Sequence, residues 1–173
     1  EPLFYMNNLK DDPTKLEPLM GKSYTISDDA KTIDVTIRDG EKWSDGEPYT
    51  AEDVAYTFNL LNSNKALNTG GFAGSAKALS DTEVRITLDN SESVNALSYL
   101  SGTMIVPKHV WEKIDDPVTY TNKDAVGSGP FTVKGGNFSP TAYTFKKNPY
   151  YWDEGKPEID GVRYVLITGG TQA

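Results

Sequence analysis

The chain contains 173 residues, of which 37% are hydrophobic and 11% aromatic, a size and apolar content that suit one globular domain and exclude a disordered chain. Its 17 basic and 25 acidic side chains give a net charge of −8, which argues against a nucleic-acid or anionic-membrane partner because both need clustered Lys and Arg. The absence of cysteine excludes disulfides, thiolate metal sites and a cysteine nucleophile, and no apolar run approaches the roughly 20 residues that span a bilayer.

Two segments alternate between apolar and polar residues, as half-buried strands do. Residues 31–38 place three β-branched apolar side chains on one face and Thr and Asp on the other. Residues 83–89 repeat the pattern with Val, Ile and Leu. We expect these two strands to share a sheet.

Between these strands lie two turns and a capped helix. Asp39-Gly40 and Asp45-Gly46 are turn pairs, because Gly reaches backbone angles that other residues avoid. Thr50 can cap a helix from about Ala51 to Leu61, and Asp53 can return a hydrogen bond to the cap amide. The apolar stripe of this helix consists of Val54, Phe58 and Leu61. We expect the loop that follows, residues 62–75, to be exposed and mobile because it is rich in Asn, Gly and Ser.

The second half predicts two short helices and three strands. Ser91 is a candidate cap for a helix with Val94, Leu97 and Leu100 on one face, and Pro107 suits the first turn of a helix over residues 108–114. The strands are expected at residues 131–134, 142–146 and 162–167. Helices and strands do not alternate one by one, so the predicted class is α+β, with mixed or antiparallel sheets and flanking helices.

Several motifs carry a family resemblance. The segment from Ile37 to Phe58 resembles "LRDGVKWSDGTPLTAEDVVYTF", and Ile105–Trp111 resembles "IVPKHIW". Val126–Phe131 resembles "VGTGPF" with Ser128 in place of Thr. In this order the motifs identify the chain as similar to family 5 solute-binding proteins, the extracellular receptors that deliver oligopeptides, and in some members oligosaccharides or nickel, to ABC importers.

The resemblance implies a periplasmic-binding-protein-like fold of two lobes hinged around the ligand. It implies that residues 1–173 are a partial first lobe, with an inserted subdomain at about 20–125. Residues 1–19 and 126–173 would add strands to the main part of that lobe, and the tail from Thr168 would lead toward the crossing strands. The second lobe would be absent from this chain. The implied partners are the ABC permease and that second lobe, and the implied location is extracellular, as a lipoprotein on the cell surface or in a periplasm.

The resemblance also supplies candidate ligand contacts. In peptide-binding relatives, the loop after the capped helix and the segment before "VPKH" approach the ligand, and here they contain Phe72 and the run Ser101, Gly102 and Thr103. Gly127 and Ser128 are further candidates, because the Gly127–Gly129 turn either lets the backbone cross between subdomains or presents its amides to the ligand. An oligopeptide is the favoured ligand, an oligosaccharide the second choice, and nickel is less favoured.

Other residues have competing interpretations. Trp43, Trp111 and Trp152 could stack on a ligand, although packing is the preferred interpretation for each. A single histidine, His109, argues against a metal site or a Ser-His-Asp triad. The acidic pairs suggest a carboxylate-dependent hydrolase as an alternative class, but each pair is expected in a turn. We therefore predict a binding protein rather than an enzyme, with neither cofactor nor metal. The pairs are Asp11-Asp12, Asp28-Asp29, Asp115-Asp116 and Asp153-Glu154.

Overall fold

The computed structural model describes residues 1–10, 12 and 15–167, without the side chains of Ser93 and Val94. The predicted tail at 168–173 and one member of the first acidic pair, Asp11, lie outside the described residues. The chain divides into two compact units. The first unit contains Glu1–Glu41 and Pro48–Tyr120, and the second contains Lys42–Glu47 and the described part of Thr121–Ala173.

In its described residues, the first unit combines two small sheets with three helices. A two-stranded sheet pairs β1 (Phe4–Tyr5) with β2 (Glu17–Pro18). A four-stranded antiparallel sheet has the order β3-β4-β6-β5. Its strands are β3 (Gly21–Ile26), β4 (Thr32–Ile37), β5 (Gly74–Ala78) and β6 (Glu83–Leu88). The helices are α1 (Ala51–Ser63), α2 (Ser93–Gly102) and α3 (Lys108–Trp111).

The two alternating segments form the centre of the four-stranded sheet, as predicted. Strands β4 and β6 pair antiparallel, with Ile33 opposite Ile86 and Val35 opposite Val84. These four side chains are at most 1% exposed, because the alternation turns them all toward the core. The predicted sharing of one sheet is confirmed.

Helix α1 begins where its cap predicts and packs its apolar stripe inward. The capping box between Thr50 and Asp53 is present, with the Thr50 amide donating to an Asp53 carboxylate oxygen at 2.9 Å. Val54 and Phe58 are fully buried. The helix continues two residues beyond the predicted end, to Ser63, whose hydroxyl donates to carbonyls of the preceding turn.

Three other expectations for this unit need correction. The loop after α1 contains a buried residue, Phe72, and its last two positions already belong to β5. Ser91 does not cap α2, since Glu92 stands at the cap position and the Ser91 hydroxyl donates to the Asp29 carbonyl at 2.6 Å. The third helix is one turn long, from Lys108 to Trp111, rather than extending to residue 114.

The second unit is built on a three-stranded antiparallel sheet in the order β7-β8-β9. Its strands are β7 (Phe131–Ser139), β8 (Ala142–Lys147) and β9 (Gly161–Val165). All three were predicted, although β7 is five residues longer than expected because a register shift between Thr132 and Asn137 lets pairing resume beyond the predicted end. The α+β class with antiparallel sheets is therefore confirmed. Within the described part of the chain, no helix combines the length and apolar character needed to cross a membrane.

Candidate ligand site

An open cavity of about 520 Å³ lies in the first unit. Its walls come from α1, the loop before β5, the end of α2, the segment that follows α2, and α3. Most of the lining is apolar, and none of the described lining residues is acidic, basic or histidine. The lining consists of Thr57, Leu60, Leu61, Leu67, Asn68, Thr69, Gly70, Phe72, Ser98, Tyr99, Gly102, Thr103, Met104, Val106 and Trp111.

Phe72 forms the buried base of this cavity. Its ring lies 4.9 Å from the ring of Phe58 and 5.4 Å, edge to face, from that of Tyr99, and the residue is 3% exposed. The Asn68 side chain holds the backbone on both sides, donating to the Phe72 carbonyl at 2.7 Å and accepting from the Phe72 amide at 2.8 Å. A side-chain amide that satisfies a residue's donor and acceptor together gives this Gly-rich loop a fixed path.

Tyr99 stands beside Phe72 and adds a polar group under the cavity wall. Its hydroxyl lies 2.7 Å from Glu92 Oε2, to which it donates, and 3.4 Å from the Gly71 carbonyl. Burial, followed by the hydrogen bond to Glu92, raises the pKa of Tyr99 to about 12. The hydroxyl therefore remains protonated, and remains a donor, throughout the physiological range.

The far wall of the cavity, residues 103–106, is held by α1. The Thr57 hydroxyl donates to the Asp53 carbonyl at 2.8 Å and accepts from the Val106 amide at 3.1 Å. The Asp53 carboxylate accepts from the Lys108 amide at 2.8 Å. Two side chains of one helix thus satisfy backbone donors some fifty positions away in the sequence, which sets the distance between α1 and this wall.

Three of the sequence-predicted contact residues meet at this cavity. Phe72 lies at its base, and Gly102 and Thr103 lie at its edge. A Cβ built on Gly102 would have no heavy atom within 4 Å, so this edge is open. Ser101 is not part of the lining, and its hydroxyl donates to the Leu97 carbonyl at 2.8 Å.

Sequence reasoning did not identify the other main lining residues. Asn68 gave no signal, because its role depends on the loop path. Met104, 63% exposed at the rim, lies in the segment between α2 and α3, where no ligand contact other than Thr103 was proposed. Trp111 was considered as a ligand platform or a packing residue. It packs against the Tyr120 ring, edge to face at 5.4 Å, and it also lines the cavity, so stacking on a ligand stays a prediction.

Gly127 and Ser128 belong to the second unit. The Gly127 amide donates to Ser44 Oγ at 3.1 Å, and its carbonyl accepts from the Ser44 amide at 2.9 Å. Ser128 is 2% exposed, and Trp43, next to Ser44, is fully buried. The packing interpretation of Trp43 is confirmed, whereas ligand contact by Gly127 and Ser128 stays a prediction.

Two acidic pairs predicted to lie in turns do so. Asp29 accepts from the Ser27 hydroxyl and the Lys31 amide, and the hydroxyl bond is the main reason its pKa is lowered. Asp116 accepts from the Thr119 hydroxyl and the Val118 amide in the same way, and its pKa is also lowered. These carboxylates stabilise their own turns. Over the described residues, no cluster of three or more His, Asp or Glu side chains is placed to hold a metal ion.

Comparison with known proteins identifies relatives over nearly the whole chain. The family model of bacterial extracellular solute-binding proteins, family 5 Middle, matches residues 15–173. The dipeptide-binding protein DppE of Bacillus subtilis is 26% identical, over 94% of this chain and 34% of that protein. The oligopeptide-binding protein OppA of the same organism is 30% identical, over 86% of this chain and 31% of that protein.

Solved structures agree on the fold. The mannohexaose-bound periplasmic oligopeptide-binding protein of an oligopeptide ABC transporter from Thermotoga maritima superposes with a TM-score of 0.83 at 26% identity, over 96% of this chain and 32% of that one. The chain thus spans about a third of the length of these relatives and has part of the periplasmic-binding-protein fold. It belongs to family 5 of the bacterial extracellular solute-binding proteins.

Proposed function

We propose that this chain is part of the solute-binding component of an ABC importer and captures oligopeptides. The observation that carries the proposal is the family 5 match over residues 15–173. Two relatives, named as dipeptide-binding and oligopeptide-binding proteins, support a peptide as the ligand. Such a protein binds its ligand non-covalently and delivers it to a membrane permease, so we propose no covalent chemistry for this chain.

The cavity above Phe72 supplies the chemistry that a peptide side chain needs. Its apolar walls would bury an aliphatic or aromatic side chain, and the absence of charge from the described lining disfavours Lys, Arg, Asp or Glu at this position. Gly102 and Thr103 at the edge would then lie beside the peptide backbone. Ser101, Gly127 and Ser128 are proposed as further contacts.

We further propose that the chain forms a partial first lobe. Residues at about 20–125 would be its inserted subdomain, and residues 1–19 and 126–173 would belong to its main part. In a two-lobe receptor, the lobes close around the ligand and each provides part of the contact surface. We therefore expect the 173-residue chain by itself to bind peptide weakly or not at all.

An oligosaccharide is the alternative ligand. The observation that favours it is the Thermotoga maritima structure, in which a protein named as oligopeptide-binding holds mannohexaose. Trp111 in the cavity lining offers an aromatic face on which a sugar ring could stack. Whether the ligand is an oligopeptide or an oligosaccharide, the proposed location is the extracellular side of the membrane, with the protein anchored to the cell surface or free in a periplasm.

Ligand identification tests the proposal directly. The longer receptor that contains this chain would be purified without denaturation, unfolded, and the released small molecules analysed by mass spectrometry. The proposal predicts a mixture of short peptides. Recovery of oligosaccharides in place of peptides would support the alternative, and a chromogenic glycoside or peptide hydrolysed by the same preparation would overturn the assignment as a binding protein.

A further inference from the structure

One sulfur atom lies at the rim of the cavity in the first unit. The chain contains three methionines and no cysteine, and Met104 is the one described lining residue that carries sulfur. Its side chain is 63% exposed, whereas Met20 is 1% exposed and Met6 is half-buried. Neither Met6 nor Met20 is among the described lining residues. Solvent access and contact with the candidate ligand site therefore coincide at one thioether.

The backbone on both sides of Met104 is fixed. The Thr103 amide donates to the Tyr99 carbonyl at 3.2 Å, and the Ile105 amide donates to the Glu1 carbonyl at 3.3 Å. The Ile105 side chain is buried in the core, at 4% exposed. The exposure of Met104 is thus a property of an anchored segment, which holds the thioether at the rim.

The cavity beneath this rim suits apolar groups. Its described lining carries no acidic, basic or histidine side chain. Three of its polar side chains already donate to other groups of the protein. They are Asn68, Thr57 and Tyr99, which donate to the Phe72 carbonyl, the Asp53 carbonyl and the Glu92 carboxylate. A strong acceptor placed at the rim would therefore rely mainly on water for its hydrogen bonds.

Hydrogen peroxide converts a methionine thioether into such an acceptor, the sulfoxide. The sulfur lone pair attacks one peroxide oxygen, and the S–O bond forms as the O–O bond breaks. The departing hydroxide takes the proton of the transferred hydroxyl and becomes water. Sulfur loses two electrons and peroxide gains them, so the reaction needs no further reactant. The product carries a polar oxygen where the side chain was apolar.

We propose that Met104 is an oxidation site through which peroxide lowers the affinity of the receptor for peptides. An apolar peptide side chain that enters the cavity covers the rim and removes water from the sulfoxide oxygen, a cost that the thioether does not have. Methionine sulfoxide reductases restore the thioether, so the loss of affinity is reversible. This inference rests on the proposed function, because it concerns ligand binding at the same cavity.

Peroxide treatment of the longer receptor tests this site. The parent is compared with Met104→Leu, which keeps an apolar side chain of similar volume and has no sulfur. Met6→Leu is the matched control, because it removes a half-buried methionine outside the described lining. Oxidation at each methionine is followed by mass spectrometry of proteolytic fragments. The Kd for Phe-containing peptides of two to five residues is measured by calorimetry before oxidation, after oxidation and after treatment with the reductases.

We expect Met104 to be oxidised at least about tenfold faster than Met20, which reacts only when its surroundings open. The peptide Kd of the parent should rise by about tenfold on oxidation and return on reduction. Met6→Leu should respond as the parent does, whereas Met104→Leu should keep its Kd.

Three results would overturn the proposal. They are an oxidation rate at Met104 no higher than that at Met20, an unchanged Kd when Met104 is fully oxidised, and an equal rise in Kd for Met104→Leu and the parent. A receptor that binds none of the peptides before oxidation would contradict the proposed function itself, and with it the proposal that depends on peptide binding.

Discussion

The carboxylate of Asp53 accepts a hydrogen bond from the backbone amide of Lys108 at 2.8 Å, while its second oxygen accepts from the Thr50 amide at 2.9 Å. One buried side chain therefore caps α1 and also anchors the start of α3. Because Trp111 of α3 lines the cavity, this relationship connects the most recognisable sequence motif of the chain to the geometry of the candidate site.

Replacing Asp53 by Ala should lower the free energy of unfolding by about 3 kcal/mol, because two backbone donors lose a charged acceptor. The adjacent Glu52 provides a matched control. It pairs with the Lys108 ammonium at 2.9 Å in an exposed ion pair, so Glu52→Gln should cost less than about 1 kcal/mol. Urea unfolding of both variants measures the difference, and equal costs would contradict the anchoring role of Asp53.

Gly102→Leu should separate ligand binding from folding. The new side chain enters open space at the cavity edge, so the unfolding midpoint should change little, while the cavity becomes smaller. In the longer receptor we expect peptide Kd to rise by about tenfold, equivalent to about 1.4 kcal/mol. Asn95→Leu is the control, since it adds the same side chain to an exposed position of α2 outside the lining. Peptide affinity is measured by calorimetry. An unchanged Kd for Gly102→Leu would show that this cavity is not part of the ligand-binding surface.

Tyr99→Phe should change how stability depends on alkaline pH. The folded chain holds the Tyr99 proton up to a pKa of about 12, whereas the unfolded chain releases it near 10. Stability should therefore fall as pH rises from 10 toward 12, because the unfolded state loses the proton first. The Tyr99→Phe variant lacks this titration. Its loss of stability relative to the parent should therefore be smaller at pH 11 than at pH 8. Urea unfolding midpoints at pH 8 and pH 11 measure the effect. Tyr5→Phe, at an exposed position, is the control.

Arg85→Gln should make the stability of the fold less dependent on pH in the acidic range. Arg85 donates to both carboxylate oxygens of Asp34, at 2.7 and 2.8 Å, and this hydrogen bonding lowers the pKa of Asp34 below 3.8. A lowered carboxyl pKa stabilises the fold above the unfolded value, and the stabilisation is lost as pH falls through the folded value. The variant should therefore be less stable than the parent at pH 7 and similar to it well below pH 3.8.

Lys77→Gln is the control for this experiment. Lys77 lies directly opposite Arg85 on β5, so its replacement removes one positive charge from the same sheet without touching the bidentate pair. Its effect on the urea midpoint should be the same at both pH values. If the difference in urea midpoint between Arg85→Gln and the parent is also the same at both pH values, the Arg85–Asp34 pair does not act through the titration of Asp34.

Local chemistry explains which elements could be predicted. Thr50 and Asp53 are three residues apart, so their capping box could be predicted from spacing alone, and the same holds for the alternation that buries Ile33 and Val35. The turn glycines Gly40 and Gly46 have positive φ angles of 74° and 99°, as their Asp-Gly pairs predict. In each case the interaction that forms the structure lies within a few residues of the signal.

The missed elements depend on distant partners. Strand β5 has the sequence Gly-Ser-Ala-Lys-Ala, with little β-propensity, and is held by pairing to β6 and by the Asn59 side chain, which bonds both to the amide and to the carbonyl of Ala76. Ser91 was predicted as a helix cap, yet its hydroxyl bonds to the carbonyl of Asp29, 62 residues earlier. Tertiary contacts outweighed local preference at both places.

The candidate site was predicted only in part, because some of its residues also depend on contacts that are distant in the sequence. Phe72, Gly102 and Thr103 were proposed by resemblance, and the structure brings them to one cavity. Asn68 and Tyr99 could not be predicted, because their roles follow from the path of the Gly-rich loop and from the rotation of α2. Among the described side chains of that helix, which do not include Val94, Ala96, Tyr99 and Leu100 are buried, whereas Leu97, expected to be buried, is only half-buried.

The most direct test of the peptide-receptor assignment is a calorimetric titration of the longer receptor, stripped of bound ligand by unfolding and refolding. It would be titrated with a defined set of two- to five-residue peptides and, separately, with mannohexaose. We predict saturable heat with peptides at a Kd of about 1 μM to 1 mM, and none with mannohexaose. Saturable binding of mannohexaose with no response to any peptide would contradict the account.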